Sequence, residues 1–229
     1  MSWTRIIRPS AVACVLSLSL SLVQAAGADV AKDIGSDANP AIVHALPDAI
    51  TIDGDPAKWA GVAALPAPFS RKATGMLKLA WREDGIYGLL QAQDAKITVD
   101  AFNPWVRDCL ELWLETDHAR SYEMTDHAYQ LVLAPNPDAG AGRAIVVPAN
   151  GHIVADKVHA VWKPQAGGYL IEFFVPATEI KLVMKDGAKI GMNYSVDDKG
   201  VSIEEFFTDK DMDSGFCSPL RWGVITLKP

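Results

Sequence analysis

Short apolar segments separated by turn residues dominate the chain after residue 48. They are rich in β-branched, aliphatic and aromatic residues, and Gly, Pro, Asn and Asp cluster between them. This pattern predicts β-strands. The predicted strands are 50–53, 76–81, 86–93, 109–115, 128–133, 143–147, 158–162, 169–175, 189–196 and 222–227. Since no segment keeps a helical period, we expect an all-β fold, an antiparallel β-sandwich.

The predicted strand 109–115 has two different faces. Alternation puts its three leucines on one face and acidic and aromatic side chains on the other. The leucines are Leu110, Leu112 and Leu114, and the opposite face carries Cys109, Glu111, Trp113 and Glu115. Strand 189–196 divides in the same way, with Met192, Tyr194 and Val196 on the core side and Asn193, Ser195 and Asp197 opposite. The polar faces are either a binding surface or ordinary outer surface.

The N-terminal residues have the pattern of a secretory signal peptide. Arg5 and Arg8 precede an uncharged apolar run, 11–23, and small residues follow, so cleavage after Ala25 or after Ala28 satisfies the small-residue rule. The apolar run is too short to span a bilayer, and no second run of that kind follows. We therefore expect a secreted or periplasmic protein that is soluble after cleavage.

The sequence divides into a signal peptide (1–25), a flexible lead-in (26–47) and one β-sandwich domain (48–229). Small polar residues without periodicity characterise the lead-in. Two long loops, 94–108 and 197–219, interrupt the strand pattern, and binding residues concentrate on such loops.

The charge balance excludes nucleic acid as an expected partner. The whole chain has 21 basic and 28 acidic residues, and removal of the signal leaves 19 basic residues and a net charge of −9. Phosphate binding requires a basic surface, which this composition does not supply.

Signatures of common enzymes are missing from the sequence. It contains no His-Glu-x-x-His pair, no Gly-x-Ser-x-Gly elbow and no Gly-rich phosphate loop. Asp209, Asp211 and Asp213 alternate like the start of a calcium loop, but the glycine comes one place late, at Gly215, and Leu220 occupies the twelfth position. This segment is not an EF-hand; it is either a looser calcium site or a solvated acidic turn.

An ordered set of motifs along the domain resembles the family 9 carbohydrate-binding modules and the related DOMON-like sandwiches, which are jelly-roll or immunoglobulin-like in architecture. The motifs are Ile52–Asp55 with Trp59, Leu79–Trp81 with Gly85–Tyr87 and Asp94, Asn103–Leu114, Gly168–Glu172, Ile190–Asn193 with Asp197 and Asp198, and Pro219–Gly223. The segment Asn103–Leu114 carries the sharpest match, to the family's N-P-W-x-x-D-x-V-E-I pattern.

The resemblance implies a carbohydrate site in which two aromatic rings sandwich a sugar. Trp105 matches the first aromatic position, and Phe216 takes the second, where a larger Trp is usual. Glu111 matches the acid that binds sugar hydroxyls, and Asp108 matches an Asp with a sugar-facing or a loop-holding role. The remaining expected site residues are Gln130, Asn193 and Trp113. Trp113 either forms the base of the site or packs in the core. Trp59, Trp81, Trp162 and Trp222 are expected to pack in the core.

If the two aromatic positions face each other, Cys109 and Cys217 lie close together as well, and the resemblance then implies a disulfide between them. It also implies calcium as a cofactor, with no ligands assigned.

The expected function is non-catalytic binding of a mono- or oligosaccharide, with a separate glycoside hydrolase as a further partner. Two alternatives remain: a DOMON-like haem-binding redox module and an inert assembly module. Three methionines could serve as haem ligands, namely Met76, Met124 and Met192, although Met192 alternates onto the core face.

Overall fold

A computed structural model describes residues 35–66, 75–150, 152–198, 201–205 and 218–229 of the chain, the range 201–205 by its backbone alone. Within these ranges twelve β-strands and several short 3-10 turns form the fold. The strands are β1 (Ala41–His44), β2 (Gly75–Arg82), β3 (Gly85–Gln93), β4 (Cys109–Glu115), β5 (Ala128–Ala134), β6 (Gly142–Arg143), β7 (Ile145–Asn150), β8 (His159–Gln165), β9 (Gly168–Pro176), β10 (Lys189–Asp198), β11 (Val201–Glu205) and β12 (Gly223–Lys228).

The strands form two sheets. The first sheet has the order β1-β12-β10-β4-β5-β7, with β11 paired to β10, and the second has the order β2-β3-β9-β8-β6. Neighbouring strands are antiparallel, except that β1 runs parallel to β12. The expected antiparallel β-sandwich is therefore confirmed.

The core lies between the sheets and is built by strand alternation. The three leucines of β4 and Met192, Tyr194 and Val196 of β10 all enter this core, as their alternation predicted. Side chains of the second sheet, including Leu90, Ile171 and Phe173, pack against them. Burial of this apolar surface is the main force that holds the two sheets together.

Three elements differ from the strand pattern expected from the sequence. Ile50–Asp53 forms no strand, because Ile50 and Ile52 pack as a loop on an apolar cluster around Trp59. The predicted strand 143–147 is split at Ala144, where the chain leaves β6 in the second sheet and enters β7 in the first. The third difference is β11, for which the sequence pattern predicted no strand.

The ordered fold also begins earlier than expected. β1 lies inside the segment assigned to the flexible lead-in, pairs with β12 and buries Ala41 and Val43. A strand of four residues has too little periodicity to be recognised without its partner. No helix in the described ranges is long and apolar enough to cross a membrane.

A buried carboxylate fastens the loop before β2 to the second sheet. Glu172 of β9 is fully buried and accepts hydrogen bonds from the backbone N–H groups of Asp53 (2.8 Å) and Gly54 (2.6 Å). The indole N–H of Trp59 donates to its other oxygen at 2.8 Å, and the ammonium of Lys58 lies 3.4 Å away. One side chain thus orders a loop more than a hundred residues away in sequence.

We predict that Glu172→Gln lowers the free energy of unfolding by about 3 kcal/mol, because the amide turns one donor toward these N–H groups and leaves Lys58 without its buried anion. Urea unfolding of the variant measures this loss. Glu83→Gln, at an exposed glutamate on the β2–β3 turn, is the matched control and is expected to unfold like the wild type. Equal stability of the two variants would contradict the anchoring role.

Candidate functional site

The outer face of the first sheet carries a row of polar side chains where β10, β4 and β5 lie side by side. Ser195 of β10 lies opposite Glu111 of β4, and Asn193 lies opposite Trp113. Gln130 of β5 lies across from Trp113 on the other side. We call Glu111, Gln130, Asn193, Ser195 and Asp197 the polar row.

The polar row is largely buried. Glu111 is 8% exposed and Asn193, Ser195 and Asp197 are less so, while Gln130 is half-buried. The amide of Gln130 donates to Glu111 at 2.7 Å. In contrast, Oδ1 of Asn193 and Oγ of Ser195 are buried with no hydrogen-bond partner among the residues that the structure describes, so the row is only partly hydrogen-bonded.

Glu111 and Asp197 form a carboxylic acid pair within the row. Burial raises the pKa of Glu111 well above its ordinary range, and the hydrogen bond with Asp197 and its negative charge raise it further. A protonated Glu111 donates to the Asp197 carboxylate and accepts from Gln130. The pair therefore shares one proton at neutral pH.

Cys109 lies at the end of this row and contacts the same carboxylate. Its thiol is fully buried, 3.8 Å from an oxygen of Asp197. Burial first, and the charge of Asp197 next, raise the pKa of this thiol, so in its reduced form it keeps its proton. The sulfur and the carboxylates of Glu111 and Asp197 lie within 4.8 Å of one another. In the reduced protein the thiol and one carboxyl keep their protons, and we interpret these three residues as a hydrogen-bonded group.

Two apolar clusters enclose the row at its ends. Cys109, Val132 and Ala134 pack against Val99 of the loop 94–108 at one end. At the other end Trp113 packs with Ala128, Trp222 and Met124. Trp113 is only 4% exposed, so it belongs to this packing and does not present a free ring to a ligand.

Trp105 lies on a 3-10 turn, Pro104–Val106, that contacts β4, β5 and β10, the strands that carry the polar row. Its side chain is 39% exposed. Pro104 is buried and holds the turn against the sheet. This is the placement expected for an aromatic platform.

Phe102 is a second exposed aromatic on the same loop, at a position that no motif in the sequence marks. It is 89% exposed, and the carboxylate of Asp100 accepts hydrogen bonds from the backbone N–H groups of Phe102 (2.9 Å) and Asn103 (3.0 Å). In the sequence, its position in the long loop 94–108 was the feature that could have indicated Phe102 as a binding residue. A contact surface for a ligand can therefore extend from Trp105 to Phe102.

Asp108 holds the loop 94–108 through contacts with Thr98. It is buried, and its carboxylate accepts hydrogen bonds from the backbone N–H of Thr98 and from the Thr98 hydroxyl, the latter at 3.1 Å. It lies on the core side of the β4 alternation, away from Glu111. Asp108 is thus not part of the polar row.

The other residues singled out in the sequence either pack in the core or lie outside the part of the chain that the structure describes. Trp59, Trp81, Trp162 and Trp222 are buried, as expected. Met192 lies in the core between the sheets, where it cannot ligate haem at the outer face. Phe216, Cys217, Asp209, Asp211 and Asp213 lie outside the described residues, as does the signal peptide. Cys109 forms no disulfide with any residue that the structure describes.

Comparison with known proteins identifies the family. A family model described as "Carbohydrate family 9 binding domain-like" matches residues 55–229, and the chain belongs to that family of binding domains. The membership agrees with the β-sandwich fold and with the motif order in the sequence.

Solved structures share this fold. A family 9 carbohydrate-binding module from Caldicellulosiruptor kristjanssonii in complex with glucose has a TM-score of 0.67 at 17% identity, covering 82% of this chain and 95% of its own. The structure of such a module from that organism in complex with cellotriose has a TM-score of 0.66 at 18% identity, covering 82% and 93%.

A curated relative is the endo-1,4-beta-xylanase A of Thermotoga neapolitana, 22% identical over 162 residues. The match covers 69% of this chain and 14% of the xylanase, so the chain spans only a small part of that relative's length.

We predict that Glu111→Gln leaves the free energy of unfolding within about 0.5 kcal/mol of the wild type, whereas Glu111→Ala lowers it by about 2 kcal/mol. An amide reproduces the hydrogen bonds of a protonated carboxyl, and alanine leaves Asp197 and Gln130 without their buried partner. Urea unfolding at neutral pH compares the two. A loss in the glutamine variant as large as that in the alanine variant would show that Glu111 is ionised in the fold.

Proposed function

We propose that this protein is a non-catalytic carbohydrate-binding protein that holds a mono- or oligosaccharide against Trp105. The observation that carries the proposal is the 3-10 turn Pro104–Val106, which places a partly exposed tryptophan against the three strands of the polar row. Aromatic clamping by Phe216 from the opposite side remains part of the proposal.

The chemistry of the site suits a sugar ring. The C–H groups on one face of a pyranose pack on a flat indole, while its rim hydroxyls require hydrogen-bond partners. The half-buried Gln130 amide and the Glu111 carboxyl, on two of the strands that the turn contacts, supply such partners. Glu111 and Gln130 already hold each other through a hydrogen bond of 2.7 Å, so these two side chains lose little entropy when a ligand binds, which favours affinity.

The comparisons support the ligand class. The two similar structures are complexes with glucose and cellotriose, so glucose and short β-glucans are the first candidate ligands. The xylanase similarity adds xylo-oligosaccharides as a second class to test. We further propose that the protein acts outside the cytoplasm and supports carbohydrate catabolism beside a separate glycoside hydrolase.

The test is a titration of intrinsic tryptophan fluorescence with glucose, cellotriose and xylo-oligosaccharides. We expect a saturable change in the wild type and no detectable binding in Trp105→Ala, with a thermal transition close to that of the wild type because the ring is partly exposed. Binding that survives in Trp105→Ala with unchanged affinity would overturn the site. A flat wild-type response to all three ligands would overturn the ligand class.

The matched control is Tyr122→Ala. Tyr122 is 74% exposed and follows the far end of β4, whereas the Trp105 turn precedes its beginning, so the two aromatics lie at opposite ends of a seven-residue strand. Removal of Tyr122 is expected to leave sugar affinity unchanged. Phe102→Ala measures the extended surface, and we expect it to weaken cellotriose more than glucose.

The proposal includes a disulfide between Cys109 and Cys217. Such a bond would tie the start of β4 to the segment that carries Phe216. The expected result is no titratable thiol in denatured protein that was exported and purified without reductant. Two free thiols per chain under those conditions would contradict the bond.

A further inference from the structure

An open groove lies at the end of the first sheet where β4 ends and β5 and β10 begin. Thr116 and Asp117, which follow β4, line it together with His127, which precedes β5, and the segment 181–189, which leads into β10. Its volume of about 320 Å³ is at the lower end of the range for small-molecule sites. The Trp105 turn precedes the other end of β4, so the groove and the proposed sugar surface are separated by the length of a seven-residue strand, roughly 20 Å.

Three lysines and one aspartate line this groove. The lysines are Lys181, Lys185 and Lys189, and the aspartate is Asp117. Lys189 is offset by Asp37, whose carboxylate lies 3.6 Å from its ammonium group. Lys181 and Lys185 are exposed, and neither forms an ion pair with a residue that the structure describes. In a chain with an excess of acidic residues, this is a local concentration of positive charge.

The balance of charges indicates a ligand with a single negative charge. Asp117 offsets one of the two lysines without an ion pair, and Asp186, the acid within the segment 181–189, lies 3.3 Å from Lys228 and is paired outside the groove. About one positive charge is therefore left for a ligand. None of the described lining residues is an arginine, the side chain whose planar fork suits phosphate, so a carboxylate fits this groove better.

The other lining groups suit a polyhydroxylated ring. Leu182, Val183 and Ala188 supply an apolar wall, and Val183 is 73% exposed. The carboxylate of Asp117 is exposed and is an acceptor for hydroxyl groups. A wall of C–H groups with a few polar groups around it is the arrangement that a sugar ring requires.

The backbone of Lys181 distinguishes the groove independently of its charge. The N–H of Leu182 donates to the carbonyl of Ala177 at 3.0 Å and closes a turn in which Lys181 has a φ of 47°. This is the geometry of a Schellman motif, in which glycine is usual at the left-handed position. Because stability alone favours glycine there, a lysine that is kept at a steric cost is typical of a functional position.

We propose that this groove binds a sugar acid, with the carboxylate of the ligand paired to Lys181 and Lys185, its ring against the apolar wall and a hydroxyl on Asp117. The site is additional to the Trp105 surface and does not depend on it. The two surfaces differ in chemistry, because the Trp105 turn offers an aromatic ring and the groove offers positive charge.

The test is a calorimetric titration of the purified protein at low ionic strength with sodium glucuronate, glucose and sodium sulfate. We expect saturable glucuronate binding that weakens as NaCl is added, because exposed charges are screened by salt, and that persists in Trp105→Ala. Absence of saturable glucuronate binding would overturn the site, and so would its loss in Trp105→Ala. Sulfate binding as tight as that of glucuronate would overturn the ligand class.

Lys181→Gln and Lys185→Gln locate the ligand. Each removes one charge and keeps most of the side-chain length, so we expect glucuronate to bind about fivefold more weakly to each variant. Lys157→Gln, at an exposed position of the 3-10 turn Ala155–Lys157, is the matched control and keeps the wild-type affinity. Full affinity in both groove variants would overturn the assignment.

Lys181→Gly tests the interpretation of the backbone. We expect a Tm at or above that of the wild type, because glycine adopts the left-handed conformation without steric cost, together with weaker glucuronate binding. A Tm below that of the wild type would contradict a functional reason for this lysine. Glucose binding is measured in the same variants and is expected to be unchanged. Glucuronate binding without any glucose, cellotriose or xylo-oligosaccharide binding would overturn the proposed function and leave the groove site standing.

Discussion

The burial of β4 on both faces is the constraint on which the site depends. Its inward face carries three leucines, as any central sandwich strand does, but its outward face buries Glu111 and Glu115 as well. The carboxylate of Glu115 accepts hydrogen bonds of 2.9 Å from the backbone N–H groups of Arg120 and Ser121, and so orders the segment that follows the strand. Because an unsatisfied carboxylate in such a place is costly, the surrounding chain is arranged around these two acids.

The fold satisfies its buried carboxylates in two different ways. Glu172 and Glu115 accept hydrogen bonds from backbone N–H groups; Glu172 thereby fixes a loop that is distant in sequence, and Glu115 fixes the segment that follows its own strand. Glu111 keeps its proton and shares it with Asp197, so that part of the outer face carries less charge than its composition suggests. Both ways need only residues of the chain.

The loop 94–108 is fastened by polar contacts of its own. The carboxylate of Asp108 accepts the hydroxyl hydrogen bond of Thr98, that of Asp100 accepts backbone N–H groups of Phe102 and Asn103, and buried Pro104 places the 3-10 turn on the sheet. Trp105 is left partly exposed on this turn. A ring on a segment that is already ordered loses little conformational entropy when a ligand binds, and this connects the contacts of the loop to its proposed affinity for sugars.

The sequence by itself determined most of the strands, their inward and outward faces and the family motifs, because alternation and turn chemistry are local properties of the backbone. It placed Glu111 and Trp113 on one face and Met192 on the other, as the structure has them. Only the tertiary structure decided that Trp113 packs in a cluster, that Asp108 turns to the core, that β1 adds to the sheet and that Asp94 meets Asp198. These outcomes depend on pairing between segments far apart in the chain, and no local pattern specifies which distant strand ends will share one end of a sandwich.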